Sequence, residues 1–334
     1  ARELAAELER LQVPVILVTT LLLFGTSSFL AWAEAPSLVR YRTGTPDPRV
    51  RAVPADVQRG VFADPQTHLE PLVRALVGGI DDEFRRVKIL HDWVAEHIAY
   101  DVSGYLSGTA AVATWDGTLR RRKGVCHGYA VLFERLCEAA GLPCEKISGY
   151  GRGYSFRLDR PEDVTRTNHA WNAVRLGGRW HLVDVTWDAG HVRGRSYHKR
   201  YSTAYLFLSP RKFLHTHFPA EAKWQLLERP VSAERFLAMP YLRGHFFAFG
   251  LSMDPVVRKQ TPAGESVRFA VGAPAGVQLA AKLVGRDGSE LPRRTLVRRQ
   301  GRRCSVLATF PEKGSWRLEL YARARGDSGP LRQT

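Results

Sequence analysis

Apolar residues recur at two different spacings along this chain. Behind Asp81-Asp82-Glu83, Phe84, Val87, Ile89 or Leu90, Trp93, Val94 and Ile98 follow at helical spacing; the acids suit a helix N-terminus, and Tyr100-Asp101 ends the run. A second helical run covers Ala130 to Ala140, with Val131, Phe133, Leu136 and Cys137 as its apolar stripe. Glu145 to Tyr150 reads as a strand, and Gly151 to Thr167 as an insertion. Alternating runs then flank Gly177-Gly178, which predicts a two-residue hairpin turn. From about Val231 the pattern becomes short strands, 267–271, 277–283, 305–310 and 316–322, parted by Gly, Pro and Asp turns. That spacing predicts a β-sandwich. Residues 35–75, rich in proline, read as a linker or an extended arm on the core.

The hairpin register brings chemistry together. If Leu176 faces Arg179, then Trp171 faces Asp184 and His169 faces Thr186 on the neighbouring strand. His169 and Asp184 then share one face as diagonal neighbours, about 7–8 Å apart at the backbone and within side-chain reach. Cys126 stands in Lys123-Gly124-Val125-Cys126-His127-Gly128, directly before the second helical run. A thiol at a helix start beside an imidazolium is held as thiolate at neutral pH. In this arrangement Asp184 orients His169, and His169 takes and returns the proton of Cys126.

These segments resemble the core of the transglutaminase-like superfamily over roughly residues 75–210, and Cys126, His169 and Asp184 match its papain-like Cys, His, Asp motif. Ser148-Gly149-Tyr150-Gly151-Arg152-Gly153-Tyr154, Phe213-Leu214-His215-Thr216-His217-Phe218-Pro219 and Lys223-Trp224-Gln225-Leu226-Leu227 are similar to the kyphoscoliosis peptidase and hillarin branch. The resemblance implies an α+β papain/transglutaminase-like core at 76–230, followed by an immunoglobulin-like β-sandwich at 231–334. It also implies thiol-dependent acyl transfer on protein carboxamide or peptide bonds. Water as acceptor makes the protein a cysteine peptidase or deamidase, and a lysine amine makes it a cross-linking transglutaminase. The branch, and the lack of an Asp-x-Asp calcium motif, favour hydrolysis. A catalytically silent interaction module is the competing class, since a fold does not fix a function. Trp171, Tyr129 and Trp115 are the candidate cleft residues. His127 reads as a capping or solvent-facing residue and His181 as a structural one.

Composition adds limits. With four cysteines at irregular spacing, no glycine-rich phosphate loop and no metal-ligand spacing, no metal or cofactor is expected. The net charge of +16 fits an acidic partner or an anionic surface. Nucleic acid is not the expected partner, because no recognised nucleic-acid fold accompanies the arginines. Residues 1–34 form a hydrophobic segment: 11–33 carries no charge and is long enough to span a bilayer, and Ala31-Trp32-Ala33 has the form of a signal cleavage site. Export or membrane anchoring is the expectation, with a buried helix and a cytoplasmic location as alternatives, since Arg40, Arg42, Arg49 and Arg51 follow the segment.

Overall fold

The structure is a computed structural model that describes residues 36–109, 113–154, 156–157, 162–253, 257–259, 263–285, 287–326 and 332–334. The expectations for residues 1–34 lie outside this range. Among the described residues no helix is long and apolar enough to cross a membrane.

Two helices, α1 (Ala55–Ala63) and α2 (Pro65–Val77), stand where a linker or arm was expected. Pro65 opens α2 where its missing N–H costs nothing, and Pro71 lies inside the helix. Leu69, Leu72, Val73 and Leu76 are buried against the main core, so this segment belongs to the domain. Next comes α3 (Glu83–His97), capped by Asp82, whose carboxylate accepts the Arg85 N–H. The chain continues through β1 (Ala99–Tyr100), α4 (Val102–Ser107), α5 (Trp115–Arg121) and β2 (Lys123–Gly124). Parallel pairing of β1 with β2 sets the chain up to enter α6 (Cys126–Ala139).

The central sheet is antiparallel, in the order β5-β4-β3-β8, from β3 (Cys144–Gly151), β4 (His169–Leu176), β5 (Arg179–Val183) and β8 (His217–Pro219). Leu176 pairs with Arg179 and Asn172 with Val183, the register expected from Gly177-Gly178. Both glycines take positive φ, 53° and 78°, as the tight turn requires. The strand ends earlier than expected. Asp184 is the N-cap of a short helix, α7 (Val185–Ala189), so the expected pairing of His169 with Thr186 does not form. The hairpin β6 (Gly190–Arg193) and β7 (Ser196–Lys199) follows.

Alternation sends the two faces of the sheet to different cores. Val174, Leu176 and Val183 pack with α2, α3 and α6, where Leu132, Phe133 and Leu136 are fully buried. On the other face Ile147, Trp171, Ala173 and Leu182 pack with Phe213, Phe246, Leu251, Val271 and Val306. The last four belong to the C-terminal part, so that domain rests on the core through a shared apolar cluster. It is the expected sandwich: one sheet runs Thr295–Gln300, Arg303–Thr309, Ser266–Gly272, Ser252–Met253, the other Glu290–Leu291, Val277–Val284, Arg317–Ala324, Arg332–Gln333. The strands Ser266–Gly272, Val277–Val284, Arg303–Thr309 and Arg317–Ala324 lie within a residue or two of the expected runs. Thr295–Gln300, with its paired arginines, is an edge strand that the charge pattern hid.

Candidate active site

Cys126 is the first residue of α6, preceded by Val125 in extended geometry. Its backbone N–H is therefore one of the helix donors without an intrahelical acceptor. Gly124 and Gly128 flank it, and both pack against Thr118 of α5, where any added Cβ is crowded. Cys126 is half-buried, unlike Cys137, Cys144 and Cys304, which are buried.

His169 begins β4, directly across from α6. Its Nε2–H donates to Asp184 Oδ2 at 2.7 Å. That leaves Nδ1 on the side of the Cys126 thiol, which feels both the His169 ring and the Ala170 N–H. Asp184 serves two elements at once. As N-cap its Oδ1 accepts the Trp187 N–H at 3.1 Å, while Oδ2 faces the imidazole. Trp187 in turn stacks on the His169 ring, with centroids 4.9 Å apart, and Trp171 covers its other side at 5.9 Å.

A third imidazole completes the group. His217, on β8, donates from Nε2 to the same Asp184 Oδ2 at 3.0 Å, and its Nδ1 faces Thr216 Oγ1 at 2.8 Å. His217 was recognised in the sequence only as part of a family tag. Nothing local pointed to its role, because β8 reaches the sheet 33 residues after Asp184. The donor atoms of His169, Asp184 and His217 lie within 4.8 Å of one another, a separation that would also suit metal ligands. The 2.7 and 3.0 Å contacts are hydrogen bonds to one shared oxygen. A divalent ion at about 2.0–2.2 Å from each atom would have to displace both protons.

Burial penalises every charge here, and the partners decide the outcome. For Cys126 desolvation works against the thiolate, but the hydrogen bond to His169 and its positive charge hold the thiol below its ordinary range. For His169 burial works against the imidazolium, yet the Asp184 charge and hydrogen bond push it up to about 10. Asp184 is likewise opposed by burial and held well below the usual carboxylate range by His169 and His217. His217 goes the other way: burial drives it down to about 4, so it stands neutral beside the pair. These directions all favour the thiolate–imidazolium form of the pair, backed by a carboxylate, which is the form a nucleophilic thiol requires.

The expected cleft residues fare unequally. Trp171 shares the face of His169 but is buried, so it supports the ring rather than lining an opening. Tyr129 is buried in the helical core, where its hydroxyl donates to the Ile98 carbonyl at 2.6 Å. Trp115 packs on the same core and under the Arg135 guanidinium, 5.7 Å from its ring, and its ring makes no aromatic contact with the His169 group. The residue missed is Tyr100, whose phenol burial pushes well up and which feels the Cys126 and Asp184 charges. Its ring leads on to Tyr105 at 6.2 Å and from there to Tyr154 at 6.1 Å, both exposed. Tyr154 belongs to the insertion expected at 151–167, and Gly153 of that segment lies against Trp187. His181 packs edge-on against Phe84 at 5.1 Å on the opposite face, a structural place as expected. His127 is half-buried.

Comparison with known proteins agrees with this architecture. The transglutaminase-like superfamily matches residues 70–185, and the KY-like, immunoglobulin-like domain matches residues 233–334. The chain carries a transglutaminase-like domain followed by a KY-like, immunoglobulin-like one. Kyphoscoliosis peptidase of Homo sapiens is 30% identical over 262 residues, 78% of this chain and 39% of that protein. Hillarin of Drosophila melanogaster is 31% identical over 217 residues, 59% of this chain and 26% of that protein. The chain thus spans about two fifths or less of the length of these relatives. A crystal structure of a TGase, 20% identical, covers 43% of this chain and 36% of that one at a TM-score of 0.29, too low to carry weight.

Proposed function

We propose that this transglutaminase-like domain carries out thiol-dependent acyl transfer on protein carboxamide or peptide bonds, with water as the acceptor. The observation behind this reading is the juxtaposition of Cys126, at the start of α6, with His169, whose ring is hydrogen-bonded to Asp184. The Cys126 thiolate adds to the carbonyl carbon, and the oxyanion faces the free Cys126 N–H. As the intermediate collapses, the His169 Nδ1 proton goes to the leaving amine or ammonia, and a thioester remains. Neutral His169 then removes a proton from water, whose oxygen displaces the thiolate and releases a carboxylic acid. Asp184 keeps the imidazole in place in both halves. The relative named a peptidase is consistent with hydrolysis, although that name belongs to a longer protein.

The test offers a casein-like substrate with a fluorescent primary amine, wild type beside Cys126→Ala. Hydrolysis predicts new N-termini or released ammonia with little label, all lost in the variant. Label incorporation that outweighs cleavage would make the protein a cross-linking enzyme. Activity that survives Cys126→Ala would remove the thiol mechanism altogether.

A further inference from the structure

The Asp184 carboxylate holds two imidazoles on one oxygen, and the mechanism above uses only one. His217 is fully buried, with Asp184 on one ring nitrogen and Thr216 on the other. Its ring is clamped by Phe213 at 4.1 Å and Trp187 at 4.3 Å. A buried histidine placed for packing alone needs no charged partner, and a carboxylate serving one imidazole needs no second donor. We infer that His217 is a positioning residue for the thiolate–imidazolium pair, acting through Asp184. This inference rests on the function proposed above.

The geometry gives the reason. Asp184 is the N-cap of a helix only five residues long, so one hydrogen bond from Trp187 restrains one oxygen. The other oxygen is restrained by His169 itself, the ring it is meant to hold. His217 supplies an anchor independent of that ring, from the opposite edge of the sheet, and so fixes Oδ2 whether or not His169 is charged. It can do this only as a neutral donor, because a second imidazolium would repel His169 and compete for the carboxylate. The Asp184 carboxylate can only accept, so the proton stands on Nε2 and Nδ1 is left as an acceptor, with the Thr216 hydroxyl 2.8 Å away. The other titratable groups facing the cluster are Cys126 of α6, held low beside His169, and the phenols Tyr100, Tyr129 and Tyr205, which burial pushes up and so keeps neutral.

The test measures the rate at which iodoacetamide labels Cys126 at pH 6.5, mapped by mass spectrometry, and needs no substrate. His217→Phe keeps the aromatic packing and removes the donor; labelling should slow by about tenfold, the scale of losing a group that orients a catalytic ligand. His217→Gln, with an amide N–H to offer Asp184, should recover most of that rate. Asp184→Asn should also slow labelling, and His217→Phe added to it should slow it no further. Wild-type labelling in His217→Phe, no recovery in His217→Gln, or losses that multiply in the double variant would each overturn the inference. Melting curves check that each protein folds, and His217→Met replaces a His217→Phe protein that does not. If wild-type Cys126 itself labels no faster than Cys137, it is the proposed function that fails, and this inference with it.

Discussion

His91 Nε2 lies 3.2 Å from Asp188 Oδ2, and both side chains are fully buried. This contact fastens α7, the helix that Asp184 caps, to α3 in the middle of the core. The other ring nitrogen of His91 meets Asp92 Oδ1 at 2.9 Å, Asp92 also pairs with Lys88, and Asp188 accepts the Tyr205 N–H at 3.0 Å. Burial opposes the charge on His91, but hydrogen bonds to Asp188 and Asp92 push it up to about 9. The Asp184 carboxylate is thereby set on a platform whose rigidity comes from an ion network and not from the length of its helix.

Removing His91 tests this platform. His91→Gln should lose about 3 kcal/mol near pH 6, because two buried carboxylates lose a cationic partner. The pH dependence carries the sign. A histidine raised from 6.5 to about 9 on folding contributes its stability in full below about pH 6.5 and loses it as the pH rises through about 9. The gap between wild type and variant in urea melts should therefore narrow from pH 6.5 to above 9. A gap that stays constant would mean that His91 acts through packing alone.

Cys126 should be alkylated at pH 6–7 much faster than the other three thiols. It is half-buried and paired with His169, while Cys137, Cys144 and Cys304 are buried, and burial with a Cys137 contact pushes the Cys144 thiol well up. Brief iodoacetamide treatment followed by peptide mapping reads the order. Equal labelling of all four would favour a silent interaction module.

Gly151 faces the ring of His169 across the sheet edge. A Cβ added there would stand 2.8 Å from His169 Cβ and 3.0 Å from Cγ, too close for both to stay. Gly151→Ala should therefore displace the imidazole, costing about 1–3 kcal/mol of stability and a larger share of Cys126 reactivity. Unchanged labelling in a folded Gly151→Ala protein would show that His169 can shift without consequence.

Arg152 is fully buried beside this site. It bonds Glu162 and the carbonyls of His215, Met239 and Phe236, with Phe236 stacked at 4.1 Å, while Lys259 also reaches Glu162. Glu162→Ala would leave the guanidinium without its counter-ion, at a cost of about 3–5 kcal/mol. Limited proteolysis should then cut within 151–167 sooner than in wild type. Resistance equal to wild type would mean that the carbonyl bonds alone hold the segment.

What the sequence determined by itself is what local rules govern. Gly177-Gly178 set the hairpin register, and the period of two put His169 and Asp184 on one face, because turn type and strand alternation act over a few residues. The thiol at the start of α6 was legible for the same reason, as was the strand pattern of the sandwich. The helices at 55–77 were obscured by prolines, which the fold accepts at a helix start and even inside α2 because tertiary burial of Leu69, Leu72 and Leu76 outweighs the local penalty. An aromatic side chain carries no mark of its depth, so Tyr129 and Trp115 were expected at the cleft although they pack on the core. Capping ended β5 at Val183 and turned Asp184 into a helix N-cap, which a strand-like sequence does not announce. Only the tertiary structure brought His217 to the same carboxylate, because that contact depends on which edge of the sheet β8 joins, and strand order is settled by packing and not by neighbours in sequence.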